Sequence, residues 1–235
     1  MNLTWITLNP MRSKTIVNWI PIALLLAIVL VALFSWIGNI YELPVNDLFS
    51  GDGVRWWVMN FIPNISKSPF PYIVIGLISL SVLKESGLIR SFSRNASLKC
   101  RRAQSLSILV LIILCLIAAF MLFLPNAVLR NSFGSIGNSP FSHGMFGEIS
   151  VAVLIVSNVY GLSSGNFINL DDTMKAHVYL LGRCKSYFIT MVLVSELMGC
   201  LDYTGLLPQS SLWFDLVAWL LYLVPLCLSL ACEKK

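Results

Sequence analysis

Glu196 stands nine residues into an apolar stretch, Tyr187–Leu206. A carboxylate near the middle of a membrane helix costs about 2.5–3.5 kcal/mol even on the lenient insertion scale. Such a group must be protonated, paired or turned toward a polar cavity. That makes Glu196 the first candidate for a proton or substrate contact. Asp202 and Tyr203 follow six and seven residues later in "ELMGCLDYTGLLP", a polar, glycine-containing end just before Pro208. Unwound backbone at membrane depth persists only where protein or a water-filled cavity covers it, and transporters place substrate at such breaks. A plain helix end at the outer interface with a belt tyrosine accounts for the same residues. Glu148 and Asp215 fall near the outer ends of apolar stretches, where they reach water, and Lys84 and Glu85 sit where Lys can snorkel and Glu can pair. The six cysteines show no C-x-x-C spacing, and His143 and His177 are the two histidines that could complete a metal site. Neither a zinc site nor a disulfide framework is expected. No Ser/His/Asp arrangement, paired catalytic carboxylates or glycine-rich phosphate loop is present, so neither enzymatic chemistry nor a cofactor is expected.

Those residues need elements to hold them, and composition decides which. The chain has 235 residues, 57% hydrophobic and 11% charged, with mean hydropathy +0.80. That is far from ordinary soluble composition and places the chain in a lipid bilayer. Crossing roughly 30 Å of hydrocarbon takes about 20 apolar residues in a helix, because each backbone N–H and C=O must bond within the segment. Six stretches qualify: 16–37, 71–89, 106–124, 146–162, 187–206 and 212–231. The expected fold is all-α, a single polytopic membrane domain of about six transmembrane helices with short interfacial helices. The first stretch is longer than a signal-peptide core and lacks a small-residue cleavage site, so it is expected to remain as a helix.

The net charge of +5 reads as topology and not as affinity for nucleic acid, because Lys and Arg mark cytoplasmic loops. With the N-terminus in the cytoplasm, Arg12, Lys14, Arg90, Arg94, Lys99, Arg101, Arg102, Lys175, Arg183, Lys185, Lys234 and Lys235 fall inside, against Arg55, Lys67 and Arg130 outside. An even number of spans keeps the basic clusters on one side, with both termini cytoplasmic. Residues 53–65, "GVRWWVMNFIPNI", suit a short helix at the headgroup level, or equally a loop over the helix ends. Asp171 and Asp172 are good caps for a surface helix over about 173–182, with Arg183 and Lys185 at its favourable end. Gly161 and Gly165 form a small-xxx-small pair that permits close helix approach.

Three blocks together resemble the p-aminobenzoyl-glutamate transporter (AbgT) family. "LPVNDLFSGDGVRWWVMNFIPNISKSPFPYIVIGLISLSVLKESGLIRSF" (Leu43–Phe92) is similar to the family's early region, a Gly-aromatic amphipathic stretch before a helix ending in a Glu-Lys-Ser-Gly-Leu-like sequence. "SPFSHGMFGEISVAVLIVSNVYGLSSGNFINLDDTMKAHVYL" (Ser139–Leu180) resembles its Ser-Pro-Phe loop, the helix ending Tyr-Gly-x-x-x-Gly and the Asp-x-x-x-x-Met surface helix. Tyr187–Leu206 resembles the helix ending Asn-Trp-Ser-Asn-Leu-Gly, altered here to Asp202, Tyr203, Thr204, Gly205 and Leu206. The family would carry further helices and a re-entrant hairpin between Arg94 and Ala103, and a second hairpin after Leu206; this chain carries neither. The resemblance implies a multi-pass inner-membrane protein that transports p-aminobenzoyl-glutamate or a related aromatic carboxylate. It implies a homodimer, or a partner subunit that completes the site, with Glu196, Asp202 and Tyr203 as candidate substrate contacts. A second expectation is a non-transporting scaffold or accessory subunit that keeps only the dimer-forming part of the fold.

Overall fold

The computed structural model describes residues 10–92, 97–123, 129–131, 134–207, 209–210 and 212–232. Helices make up 83% of these residues, with no strand among them. In chain order they are α1 (Pro10–Ile40), α2 (Gly51–Lys67), α3 (Phe70–Ser86), α4 (Leu88–Ser91), α5 (Leu98–Phe123), α6 (Pro140–Ser164), α7 (Leu170–Arg183), α8 (Lys185–Thr204) and α9 (Leu212–Cys232). Five stretches among the described residues are long and apolar enough to cross a membrane, or six if α7 and α8 are taken as one broken span. The chain is an all-α, polytopic membrane fold. Arg94, Lys234 and Lys235 of the expected inner charge, and Pro208, lie outside the described residues.

The chain folds as two compact units, one of residues 1–71 and 183–235, the other of residues 72–182. In the first, α8 is the central helix, packed by α1, α2 and α9, with α1 and α9 also in contact. Its position explains its sequence. Tyr187, Met191, Val194, Glu196, Leu197, Met198 and Cys200 are buried, as expected of a helix with neighbours on most sides. Ser35 of α1 fastens the loop into α2, its hydroxyl donating to the Ala32 carbonyl (2.8 Å) and accepting from the Leu48 N–H (3.1 Å). Ser50 then caps α2 by accepting from the Gly53 N–H (3.0 Å). Gly53 allows this turn, since a Cβ there would overlap the backbone of Asp47 and Leu48.

In the second unit α5 packs along α6, and α4 touches both. Two glycines set helix boundaries that apolarity alone does not. Gly87, at φ +77°, stops α3 at Ser86 and starts the short α4, so the run expected over 71–89 is divided. The Asn166 amide donates to the Ser86 carbonyl (2.6 Å) at that break. Gly165, at φ +79°, ends α6, with the Phe167 N–H closing onto the Gly161 carbonyl (3.0 Å). At the other end of α6, Ser139 before the helix and Ser142 in its first turn form a capping box that spans Pro140, the first helical residue.

α7 begins at Leu170, earlier than the 173 expected from its acids. Asp172 does not stand before the helix. It lies inside the first turn and reaches back, accepting from the N–H groups of Ile168 and Asn169 (3.3 Å each). α7 is held to α3 by Ser81, whose hydroxyl donates to the Ala176 carbonyl (2.6 Å) and accepts from the Leu180 N–H (3.0 Å). Lys84 lies 4.8 Å from the centre of the Tyr179 ring, a cation–π contact made by the same two helices.

Candidate functional site

Glu196 lies in the middle of α8 and is 3% exposed. It is the one buried acid among the described residues. Its Oε2 is 3.5 Å from the Asn64 side-chain amide nitrogen, and the Trp57 indole faces the same carboxyl. Both partners come from α2, and both present N–H groups. Oε1 is buried with no hydrogen-bond partner among the described residues.

Gly199 makes the contact with Asn64 possible. It lies three residues on from Glu196, one helical turn along the same face. The Asn64 amide sits directly against it, so that a Cβ at 199 would overlap the amide. The pairing is therefore built from three residues: an acid, a glycine one turn away, and an asparagine from α2 that fits above the glycine.

A hydroxyl cluster adjoins the acid. The Ser195 hydroxyl donates to the Met191 carbonyl (2.9 Å) and has one proton to give. The 2.7 Å contact between Ser195 Oγ and the Tyr222 hydroxyl thus has Tyr222 as donor. The Tyr187 hydroxyl donates to the Tyr222 carbonyl, one turn before Pro225, which itself lacks an N–H. Tyr187 and Tyr222 are each 1% exposed, so this hydroxyl cluster is buried within unit one.

The other two acid-end candidates have separate roles. Asp202 is exposed, and its Oδ1 accepts from the Gln209 N–H (2.7 Å), closing the turn after α8. Tyr203 stacks on Trp56 with ring centres 4.3 Å apart, and its carbonyl accepts from the Asn46 amide (2.6 Å). Glu196 and Tyr203, seven residues apart, thus both face α2, while Asp202 points to the loop. Asn64, Trp57, Gly199 and Tyr222 have no counterpart in the sequence-based candidates.

Within unit two, Gly161 and Gly165 serve the chain's own turn. The Phe167 ring lies where a Cβ on Gly161 would be, and Lys99 Nζ lies against Gly165, placing a cation at the carbonyl end of α6. Asn158 and His177 form a second polar contact. The Asn158 amide nitrogen donates to the Leu154 carbonyl (3.0 Å) and lies 3.4 Å from His177 Nε2, while His177 Nδ1 meets the Thr173 carbonyl at 2.7 Å. Among the described residues no group of three or more His, Cys, Asp or Glu side chains could hold a metal ion.

No family model, no curated protein and no solved structure matches this chain.

Proposed function

We propose that this protein is an AbgT-like membrane transporter of p-aminobenzoyl-glutamate or related aromatic carboxylates. We place it in the inner membrane as a homodimer, or with a partner membrane subunit, with both termini in the cytoplasm. The observation that carries the reading is Glu196, a carboxyl buried midway along the central helix with one oxygen unpartnered among the described residues. A scaffold has no use for so costly a group, whereas a carrier does. The three sequence blocks that resemble the family support the choice of cargo, and that part is argued by analogy. Tyr203 serves here as packing against α2 and Asp202 as a turn residue, so the weight of the site falls on Glu196.

The reading is tested with purified protein in liposomes and labelled p-aminobenzoyl-glutamate. Uptake above protein-free liposomes is expected. Glu196→Gln should reduce it by about tenfold or more, corresponding to about 1.4 kcal/mol or more, while Asp202→Asn leaves it within twofold. Absence of uptake by the unmodified protein would overturn the reading. The scaffold alternative has one observation in its favour: α1 and α5 expose long apolar faces, including Leu25, Leu26, Val29 and Leu33 on α1 and Leu109, Ile112, Leu116 and Phe120 on α5, which partner helices could cover as well as lipid.

A further inference from the structure

We propose that the end of the second unit formed by α4, α5 and α6 binds an anionic phospholipid, its phosphate held by cations of α4 and α5 and an acyl chain laid along the α5 face below Arg102. The proposal needs only the membrane fold and stands apart from the transport reading.

A buried hydroxyl brings the cations together. Tyr160 of α6 is 2% exposed, and its hydroxyl is hydrogen-bonded to Ser91 of α4 and to Cys100 of α5. The Ser91 proton goes to the Leu88 carbonyl (2.6 Å), so Tyr160 is the donor to Ser91. Arg90 is next in sequence to Ser91, and Lys99 and Arg101 flank Cys100. All three therefore spring from backbone fastened to one point. Lys99 Nζ lies against Gly165 at the end of α6, and Arg102 completes the basic start of α5, "LKCRR".

This charge is not balanced from within. The four cations are exposed. α4 and α5 contain no acid, nor does α6 from Ser150 onward. Among the described residues Arg90 and Arg102 make no ion pair, and neither does Glu85, the nearest acid along the chain. The amino end of α5 adds the positive pole of its own dipole. A patch of one sign on this scale attracts anions.

The apolar side chains beside the cations select the anion. Ile89, Phe92 and Leu98 are exposed there. A soluble polyanion would leave them in water, whereas the boundary between headgroups and acyl chains takes up both kinds of side chain. Below Arg102, Leu106, Leu109 and Ile113 are exposed as well, and they lie within about 40° of it around the helix. The rise from Arg102 to Ile113 is about 16 Å. That is close to half of the roughly 30 Å hydrocarbon layer, the depth of one leaflet and so of one acyl chain. A second copy of this chain is a poorer occupant of the same face. Copies related by a two-fold axis along the bilayer normal would set Arg102 against Arg102, and like charges repel. A phospholipid brings the opposite charge and an apolar tail on one molecule.

Native mass spectra of the intact protein in detergent test this. Phosphatidylglycerol should be retained over phosphatidylcholine of the same chains by about tenfold or more, as expected of two cations worth about fivefold each. Arg90→Gln and Arg102→Gln should each lower that ratio about fivefold. Arg102→Lys, which keeps the charge, should restore it, and Arg55→Gln in the first unit should leave it unchanged. Inorganic phosphate or polyphosphate in large excess should not displace the lipid. Equal retention of the two lipids by the unmodified protein overturns the proposal whatever the variants do. A ratio unchanged by both Arg90→Gln and Arg102→Gln overturns it by placing the lipid elsewhere. Displacement by the soluble anions overturns it by showing an anion site that makes no use of a chain. Leu109→Cys copies that cross-link to each other in native membranes would put a second copy on this face and overturn it as well.

Discussion

At the residue scale, the environment of Glu196 depends on a close fit between α2 and α8. Gly199→Ala places a methyl where the Asn64 amide lies, so either the amide withdraws from Glu196 or α2 moves outward. Overpacking of this kind costs about 1–3 kcal/mol, and thermal unfolding in detergent should register it. Asn64→Leu separates fit from chemistry: it keeps the volume roughly but removes the donor, so Gly199→Ala should add little to it in the double variant. Additive losses would mean that Gly199 does not act through Asn64. How much of this was legible in the sequence follows from the kind of signal each residue carries. A carboxylate among apolar residues stands out wherever it sits, because its desolvation cost does not depend on knowing its neighbours. Asn64 lies 132 residues away in a segment that reads equally as helix or loop, and only tertiary contact makes it a partner. Nearness in sequence groups Asp202 and Tyr203 with Glu196. Helical spacing predicts the outcome better, since at 3.6 residues per turn residues seven apart lie within about 20° of each other around the helix and residues six apart about 120°.

At the element scale, the six long stretches were legible because apolar length is a strong signal in a bilayer, and helices occupy all six. Their ends were less legible, because hydrogen bonds and glycine conformation set them. α3 stops at Gly87 although apolar residues continue, and α7 starts before its acids because Asp172 reaches backwards across the first turn. The link between α3 and α7 also had no sequence signature. Ser81 is one of several serines in α3, and what distinguishes it is that its hydroxyl meets the Ala176 carbonyl and the Leu180 N–H. Ser81→Ala removes both bonds while leaving the backbone of α7 to pair within itself, so the loss should be near 1 kcal/mol. Hydrogen exchange reads it directly: the Leu180 amide should exchange roughly fivefold faster, in keeping with about 1 kcal/mol. Amides of α5, which packs along α6, should be unchanged. Equal acceleration throughout the second unit would indicate general loosening and would contradict a local lock.

At the scale of the whole molecule, the distribution of charge makes a claim about sidedness that contacts within the chain do not address. The positive-inside rule weighs short loops near the membrane, and it puts Arg90 of α4 and the helix around Lys175 on one side of the bilayer, with Asp52 and Lys67 of α2 on the other. All four residues are exposed, so cysteines introduced there are open to reagent and perturb no core packing. With the native cysteines replaced, Asp52→Cys and Lys67→Cys should react with an impermeant thiol reagent applied to intact cells. Arg90→Cys and Lys175→Cys should react only after the membrane is permeabilised. The comparison also decides how α2 relates to the bilayer, since α2 and α3 are short pieces of one apolar run, Gly51–Ser86. If α2 lies at the headgroup level, both of its ends label from the same side. Labelling of Asp52→Cys and Lys67→Cys from opposite sides would make α2 a crossing helix, turn the count of spans from even to odd between the basic clusters, and overturn the sidedness argued from those clusters.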